Sequence, residues 1–365
     1  MFRVTSTTFT SFFIEYFSGI LIMSFRCLVA LFLFVSATPS YSQKKGCTDR
    51  LANNFNAAAT INNGTCKYNR TDYNPPVKVA PISSVLIESS GLQMAGDHLW
   101  SFNDGGGAAA IYRIDTISNI ILQTVNLENA TNVDWEDIAF DGKYFYIGDF
   151  GNNANGSRSD LKIYKFPFAA IPSFSAEPVV TIPASNIEVI SFTYRNQPQP
   201  VATGANNTRY DCEAMIVDNN KIHLFSKNWV SLNTTHYVIN SVKAGSYVAD
   251  SLEILPTDYL VTGADKVPGE KIIVFIGYSP KLPGKHFMHI LSDFRGDKYF
   301  NGNKRKIDLP DATQMGQAEG ITFRNNRYGY ISNEKISFGS VVISPQKLRS
   351  FNVSAYISIS SKDSR

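Results

Sequence analysis

Long amphipathic helix is missing from this sequence, and so are most of the residue patterns that mark familiar chemistry. Apolar residues alternate or cluster over four to six positions between Gly, Asn, Asp and Pro, and they do not sustain helical spacing. An all-β chain is expected. Charge of one sign is also lacking: 34 Lys and Arg stand against 31 Asp and Glu, a net charge of +3, and no basic stripe forms. The electrostatic footprint of a nucleic-acid binder is therefore absent. There is no Gly-x-Ser-x-Gly elbow, no Gly-rich phosphate loop and no Cys-x-x-Cys pair. Asn103-Asp-Gly-Gly-Gly107 reads as a tight turn instead. His is scarce, five in all, and His286 and His289 are three apart, on opposite faces of a strand, so a His-based zinc site would need help from distant residues. What is plentiful is apolar and aromatic material, 44% and 13% of 365 residues, enough for one large all-β domain or two ordinary ones.

The first 42 residues differ from the rest. Arg26 precedes the run Cys27-Leu-Val-Ala-Leu-Phe-Leu-Phe-Val35, and small residues follow, the pattern of a secretory signal cleaved near Ser42-Gln43. Met23 suits such a signal better as a start than Met1, which makes residues 1–22 an upstream extension. The competing reading takes residues 11–36 as a membrane anchor that carries Glu15 and Arg26 inside it. On the signal reading the mature chain is secreted or cell-surface, with no membrane span. It keeps Cys47, Cys66 and Cys212. Export permits a disulfide between the first two, and Cys212 is expected to be a buried, unpaired side chain.

Residues 46–68, Gly-Cys-Thr-Asp … Asn-Asn-Phe-Asn … Asn-Gly-Thr-Cys-Lys-Tyr, resemble a short module of secreted proteins of the Bacteroidetes type. One disulfide closing about twenty residues is worth about 3 kcal/mol in the chain-entropy picture, which a segment too short to own a core needs. Asp49, Asn53, Asn54, Asn56, Asn62 and Asn63 are either Ca²⁺ oxygen donors or turn formers. Residues 69–81, with Pro75, Pro76 and Pro81, read as a linker, and residues 82–365 as the main domain.

That domain contains an internal repeat. Five segments open with a carboxylate and run through strand, turn and strand, starting at Glu88, Glu136, Glu213, Asp265 and Glu319, at intervals of 48, 77, 52 and 54 residues. Units that cannot bury their own faces stack into a closed array. With blades of about 40–50 residues, the expectation is a β-propeller of six blades, the 77-residue gap hiding a degenerate one; five or seven also fit. Ser340–Ser344 and Phe351–Ile359 are expected to be strands of the last blade, and a strand near Val85 to close the ring.

Three strings carry a family resemblance: Glu88-Ser-Ser-Gly91 … Trp100-Ser-Phe-Asn-Asp104, then Asp134-Trp-Glu-Asp137 … Gly148-Asp-Phe-Gly-Asn-Asn153, then Asp211-Cys-Glu-Ala-Met215. They are similar to the esterase-like-phytase and quorum-regulator-regulated families of extracellular propellers. The resemblance covers residues 85–335 and implies a propeller; the segment at Asp265 departs from it.

Residues that recur at the start of each inner strand would ring the central channel. Glu88, Glu136, Glu213, Asp265 and Glu319 would then converge and repel unless cations or protons compensate. Lys227 and Arg209 are candidate internal partners and Ca²⁺ a candidate external one. Asp104, Asp149 and Asn333 fall at the ends of second strands on the same face, with Asn152 just beyond Asp149. Asp134 lies on the same side of its strand as Glu136, and Asp137 on the other. The expected ligand-binding set is Glu88, Asp104, Asp134, Asp149, Asn152, Lys227, Glu319 and Asn333, and the expected metal set is Asp134, Glu136, Asp149 and Glu213. The functional expectation is a secreted propeller that binds a small molecule, glycan or protein through an acidic, Ca²⁺-binding face. The alternatives are a metal-assisted hydrolase of a phosphoester or lactone, with Glu136 or Glu213 as base, and a structural protein–protein module. Trp100, Trp135 and Trp229 are expected to pack between blades, or to stack on a sugar.

Overall fold

The computed structural model describes residues 43–173 and 176–358; the expected signal segment, and Ile359 of the expected last strand, lie outside them. Alternating apolar residues build antiparallel sheets, each opening on an inner strand: Ser89–Ala95, Trp135–Phe140, Cys212–Asp218, Leu260–Lys266 and Gln317–Phe323. These five strands pack on one another in chain order, and the last packs on the first, so the ring is closed. The fold is a five-bladed β-propeller. The expected propeller is present with five blades rather than six. The 77-residue interval adds no blade, because Lys162–Pro167 and Glu188–Tyr194 complete blade 2, and Val179–Ile182 pairs in parallel with the outer strand of blade 1. Glu188–Tyr194 also pairs in parallel with Gly245–Pro256, joining the outer edges of blades 2 and 3.

Ring closure comes from Val77–Val79, within the stretch read as a linker. This short strand pairs with Lys347–Asn352 as the fourth strand of blade 5, whereas Ser84–Leu86 near Val85 is a single 3₁₀ turn. Val341–Ser344 is not a blade strand either. It pairs with Ile336–Phe338 in a side hairpin that exposes Phe338, Val341 and Val342.

Aromatic side chains fill the seams between blades. Phe102 of blade 1 meets Trp135 of blade 2 edge-on at 5.5 Å, and Trp100 meets Phe145 at 5.6 Å, as expected of these two Trp. Such offset pairs add about 0.5–1.5 kcal/mol each beyond burial. Polar pins cross the inner seams. Asp137 accepts from Met215 N of the next blade (2.7 Å), and Asp265 accepts from Phe323 N (2.7 Å) and Thr322 Oγ1 (2.9 Å). Cys212 is free and buried.

Cys47 and Cys66 form the expected disulfide. In its loop the side-chain oxygens of Asp49, Asn54, Asn56, Asn62 and Asn63 accept backbone amides of Leu51, Lys67, Ala58, Gly64 and Thr65, which is turn formation rather than a cation cage. The module is seated on blade 4: Thr48 and Asn62 both donate to Asp293 at 2.9 Å, and Arg295 donates to Asn62 O at 2.6 Å. Replacing Cys47 and Cys66 with Ser should therefore open residues 48–65 to limited proteolysis, at a cost of about 3 kcal/mol locally, while the far-UV spectrum of the propeller persists. A cleavage pattern unchanged from wild type would contradict this.

Candidate functional site

Each inner strand carries a register slip at its first residues, between Ser89 and Leu92, Trp135 and Asp137, Cys212 and Ala214, Val261 and Gly263, and Ala318 and Gly320. A bulge re-aims one side chain per strand. The residues at these slips are Ser90, Glu136, Glu213, Thr262 and Glu319, and they form the first ring of one mouth of the channel. Three are buried glutamates. The other two are hydroxyls that pin the next blade, Ser90 Oγ to Glu136 O and Thr262 Oγ1 to Ala318 O, both at 2.8 Å. Glu88 is two residues outside this ring and exposed, and Asp265 is three residues further along its strand among the seam pins.

A second ring follows from the antiparallel partner strands. Trp135 pairs with Asp149, Ala318 with Asn333, Cys212 with Ser226, Ser89 with Asn103 and Val261 with Gly277. The next residues in these strands are Phe150, Glu334, Lys227, Asp104 and Tyr278. Asp104, Lys227 and Glu334 reach the mouth from these positions, and Tyr278 lies against Lys227. Asn333 and Asp149 occupy the preceding row. Asn333 Nδ2 donates to Glu334 O and Pro345 O. Asp149 accepts Asp134 N (3.1 Å) and pairs with Arg158 (2.8 Å) and Lys162 (3.3 Å), so its charge is already neutralised. Asn152 holds the rim: its amide N–H donates to Asp211 Oδ1 at 2.7 Å and its Oδ1 accepts Arg158 N.

The carboxylates that meet in the mouth form three overlapping groups: Asp104, Asp134 and Glu136; Asp104, Glu319 and Glu334; and Glu136, Asp211 and Glu213. Within each, ligand atoms lie within 4.8 Å of one another. Asp104 and Glu136 each belong to two groups, so the seven acids make one continuous arc. Gly105 and Gly151 let backbone pass beside it, since a Cβ on Gly151 would collide with Glu136 and Asp134, and one on Gly105 with Asp134.

Compensation is sparse. Among the described residues Lys227 alone ion-pairs with the arc, contacting Glu213 Oε1 and lying 3.9 Å from Glu319 Oε1. Its ammonium also sits 5.1 Å from the Trp229 ring and 5.4 Å from that of Tyr278. Gln317 Nε2 bridges Glu319 and Glu334, at 2.8 and 3.1 Å. Glu136 Oε1, Glu213 Oε2, Glu319 Oε2 and Glu334 Oε1 are buried with no hydrogen-bond partner. Burial first, and then neighbouring acids, push Asp104 up to about 7 and Asp134 up to about 6, and hold Glu136 and Glu334 well above the carboxylate range. Burial likewise lifts Glu213, against the pull of Lys227. Seven acids in a poorly hydrated mouth require protons or a cation.

Of the residues expected from sequence, the structure brings Asp104, Asp134, Glu136, Glu213, Lys227 and Glu319 together at one mouth. Asp211, Glu334, Gln317 and Tyr278, not among the expected residues, join them there, whereas the expected partner Arg209 is exposed. The pair Asp211-x-Glu213 repeats the spacing of Asp134-x-Glu136, a signal that was present for the first of these. Trp229 does not pack between blades; its Nε1 donates to Asp211 Oδ2 at 2.8 Å, at the rim.

The opposite mouth contrasts in charge. It is a bowl of about 780 Å³ formed by the turns after the inner strands, and two of its acids have basic partners, Asp218 with Lys266 and Glu270 with Arg327, each at 3.1 Å.

No protein-family model and no curated protein matches this chain. Similar solved structures include the PQQ-bound aldose sugar dehydrogenase of Streptomyces coelicolor, at 11% identity over 76% of this chain and 99% of that one, with a TM-score of 0.41. A putative 6-phosphogluconolactonase from Bacteroides uniformis follows at 14% identity, 69% and 66% coverage and a TM-score of 0.35. Hydrazine synthase of Kuenenia stuttgartiensis stands at 14%, 68% and 75%, and 0.35. They assign no chemistry to this chain. Among the described residues no helix is long and apolar enough to cross a membrane.

Proposed function

We propose that the acidic mouth binds Ca²⁺ and, through it, an oxygen-rich ligand outside the cytoplasm. The observation that carries this reading is the set of four buried carboxylate oxygens without partners, set among seven acids and one ammonium. Ca²⁺ accepts six to eight oxygen ligands in flexible geometry, which suits an arc of carboxylates with no His or Cys in it. A ligand hydroxyl or carboxylate supplies the coordination that the protein leaves open. The Cys47–Cys66 disulfide and the apolar run before residue 42 support export, and the resemblance to extracellular propellers agrees with it. Titrating Ca²⁺ into metal-free protein at pH 7.5, by calorimetry and by melting, tests the reading. Saturation near 100 times the dissociation constant should stabilise the fold by about 2.7 kcal/mol, roughly 5 °C in Tm for a domain of this size. Glu136→Gln should remove most of that rise; a wild-type Tm indifferent to Ca²⁺ would sink the proposal.

The enzymatic alternative rests on Glu136 in particular. Its Oε1 is free and its proton affinity is raised by burial, as a general base needs, whereas Glu213 is tied to Lys227. A bound cation would supply Lewis acidity, and Glu136 would take the proton from water. Turnover of generic phosphoesters or lactones, abolished in Glu136→Gln, would favour hydrolysis over binding; an inactive wild type would remove it.

A further inference from the structure

The disulfide module and blade 4 enclose a second charged feature, remote in kind from the acidic mouth. Strand Asn303–Asp308 is the outermost of blade 4, and its alternate residues Lys304, Lys306 and Asp308 share one face. That face, with Lys285 and with Tyr68 and Arg70 beside the disulfide, lines a groove of about 730 Å³.

The acids in the groove are already committed. Asp308 accepts both Arg70 Nε and Lys285 Nζ at 2.7 Å, and Asp72 lies 3.6 Å from Arg70 and 3.9 Å from Lys285. Among the described residues no carboxylate is within ion-pair distance of Lys304 or Lys306. Lys304 spends its three protons on the carbonyls of Gly64, Phe300 and Gly302, at 3.1, 2.8 and 2.9 Å. It contributes charge without a free donor. Lys306 is different. Only Thr257 O accepts from it, at 2.9 Å, while its ammonium is held 4.1 Å from the Phe287 ring centre and 5.1 Å from that of Tyr259. Burial lowers the proton affinity of both lysines, outweighing the pull of Glu253 on Lys304 and of Asp258 and Asp308 on Lys306.

We propose that this groove binds an oxyanion, a phosphate or sulfate group, with Lys306 as the direct donor and Lys285 and Lys304 supplying the surrounding positive field. A tetrahedral oxyanion can accept the Lys306 protons that Thr257 O leaves free. The site is independent of the acidic mouth, and cation binding there is not required.

The test uses the mature chain in EDTA-containing buffer at low ionic strength, with two probes titrated separately: inorganic phosphate, and dextran sulfate against neutral dextran. The wild type should bind at least one probe. Lys306→Met should weaken that binding at least tenfold and Lys285→Met severalfold, while Lys243→Met, an exposed lysine on blade 3, should leave it unchanged. Binding of phosphate assigns the groove to free oxyanions, and binding of dextran sulfate alone assigns it to ester groups on a polymer. If neither probe binds, or if Lys243→Met weakens binding as much as Lys306→Met, the proposal falls. A far-UV spectrum and a Tm of Lys306→Met that match wild type in the same EDTA buffer show that the variant has folded.

Discussion

Without divalent cations the protein should lose stability as pH rises from about 4 to about 7, and Ca²⁺ should restore it most at the upper end. Asp104 and Asp134 have folded-state proton affinities raised to about 7 and about 6, from ordinary values near 3.8. A carboxyl raised in this way contributes fully below its unfolded pKa, where both states are protonated. As pH climbs past about 4 the unfolded chain ionises and the folded mouth does not, so the equilibrium shifts toward unfolding until the folded groups ionise too. Glu136 and Glu334 are raised in the same sense and extend the loss to higher pH. A cation reverses the sign, because it binds the ionised acids and competes with the protons. Melting curves at pH 5 and pH 7.5, with EDTA and with Ca²⁺, therefore give four numbers. The expected order places EDTA at pH 7.5 lowest, with the Ca²⁺ increment several degrees larger at pH 7.5 than at pH 5. Asp104→Asn should flatten the EDTA slope, since it removes an acid shared by two of the three groups. An EDTA-treated protein that is more stable at pH 7.5 than at pH 5 would show that the mouth carries no excess of charge.

The fold was legible in the sequence because strand periodicity and the repeat are local signals. Blade number was not, because strands added at the outer edges consume length without adding a blade. Val179–Ile182 joins blade 1 and Val77–Val79 joins blade 5, and neither has a sequence feature that announces its partner. Residues 75–76 read as a linker because two prolines cannot donate to a ladder. Closure by the strand that follows them is a long-range pairing, invisible to local pattern.

The candidate site was legible to within three residues, and part of that error originates in the bulges. A bulge shifts the two-residue alternation by one, so aligning the blades by their carboxylates puts some residues on the wrong face. Glu88 was matched with Glu136 where Ser90 is the structural equivalent, and Asn333 was chosen where Glu334 reaches the mouth. Asp149 is the same slip seen from the other side: its row faces Arg158 and Lys162. Where the bulge residue was itself the carboxylate, at Glu136, Glu213 and Glu319, the sequence and the structure coincide. Asp211 stands outside the one-acid-per-blade repeat, although its Asp-x-Glu spacing to Glu213 matches that of Asp134 to Glu136.

Lys227→Met should be the most damaging single change in the mouth. The ammonium is buried and paired with Glu213, lies within 3.9 Å of Glu319, and is held in its charged form by these acids against desolvation. Removing one member of such a pair leaves the other buried and uncompensated, which costs about 3–5 kcal/mol, where exposed pairs cost under about 1. For a propeller of this size that is roughly 6–10 °C in Tm. The loss should depend on pH in a way that a packing defect does not. Burial already raises the proton affinity of Glu213 and loss of Lys227 raises it further, so as pH falls Glu213 takes a proton and the variant should approach wild type; toward alkaline pH the difference should be greatest. Added Ca²⁺ should recover part of it, because the cation replaces the missing positive charge. Double replacement, Lys227→Met with Glu213→Gln, should recover more than either single change allows, since no unpaired charge then remains at that position. A Lys227→Met protein whose Tm deficit is the same at pH 5 and pH 8 would mean that the lysine supports the blade by its hydrocarbon stem alone, and that the acids of the arc hold their own protons.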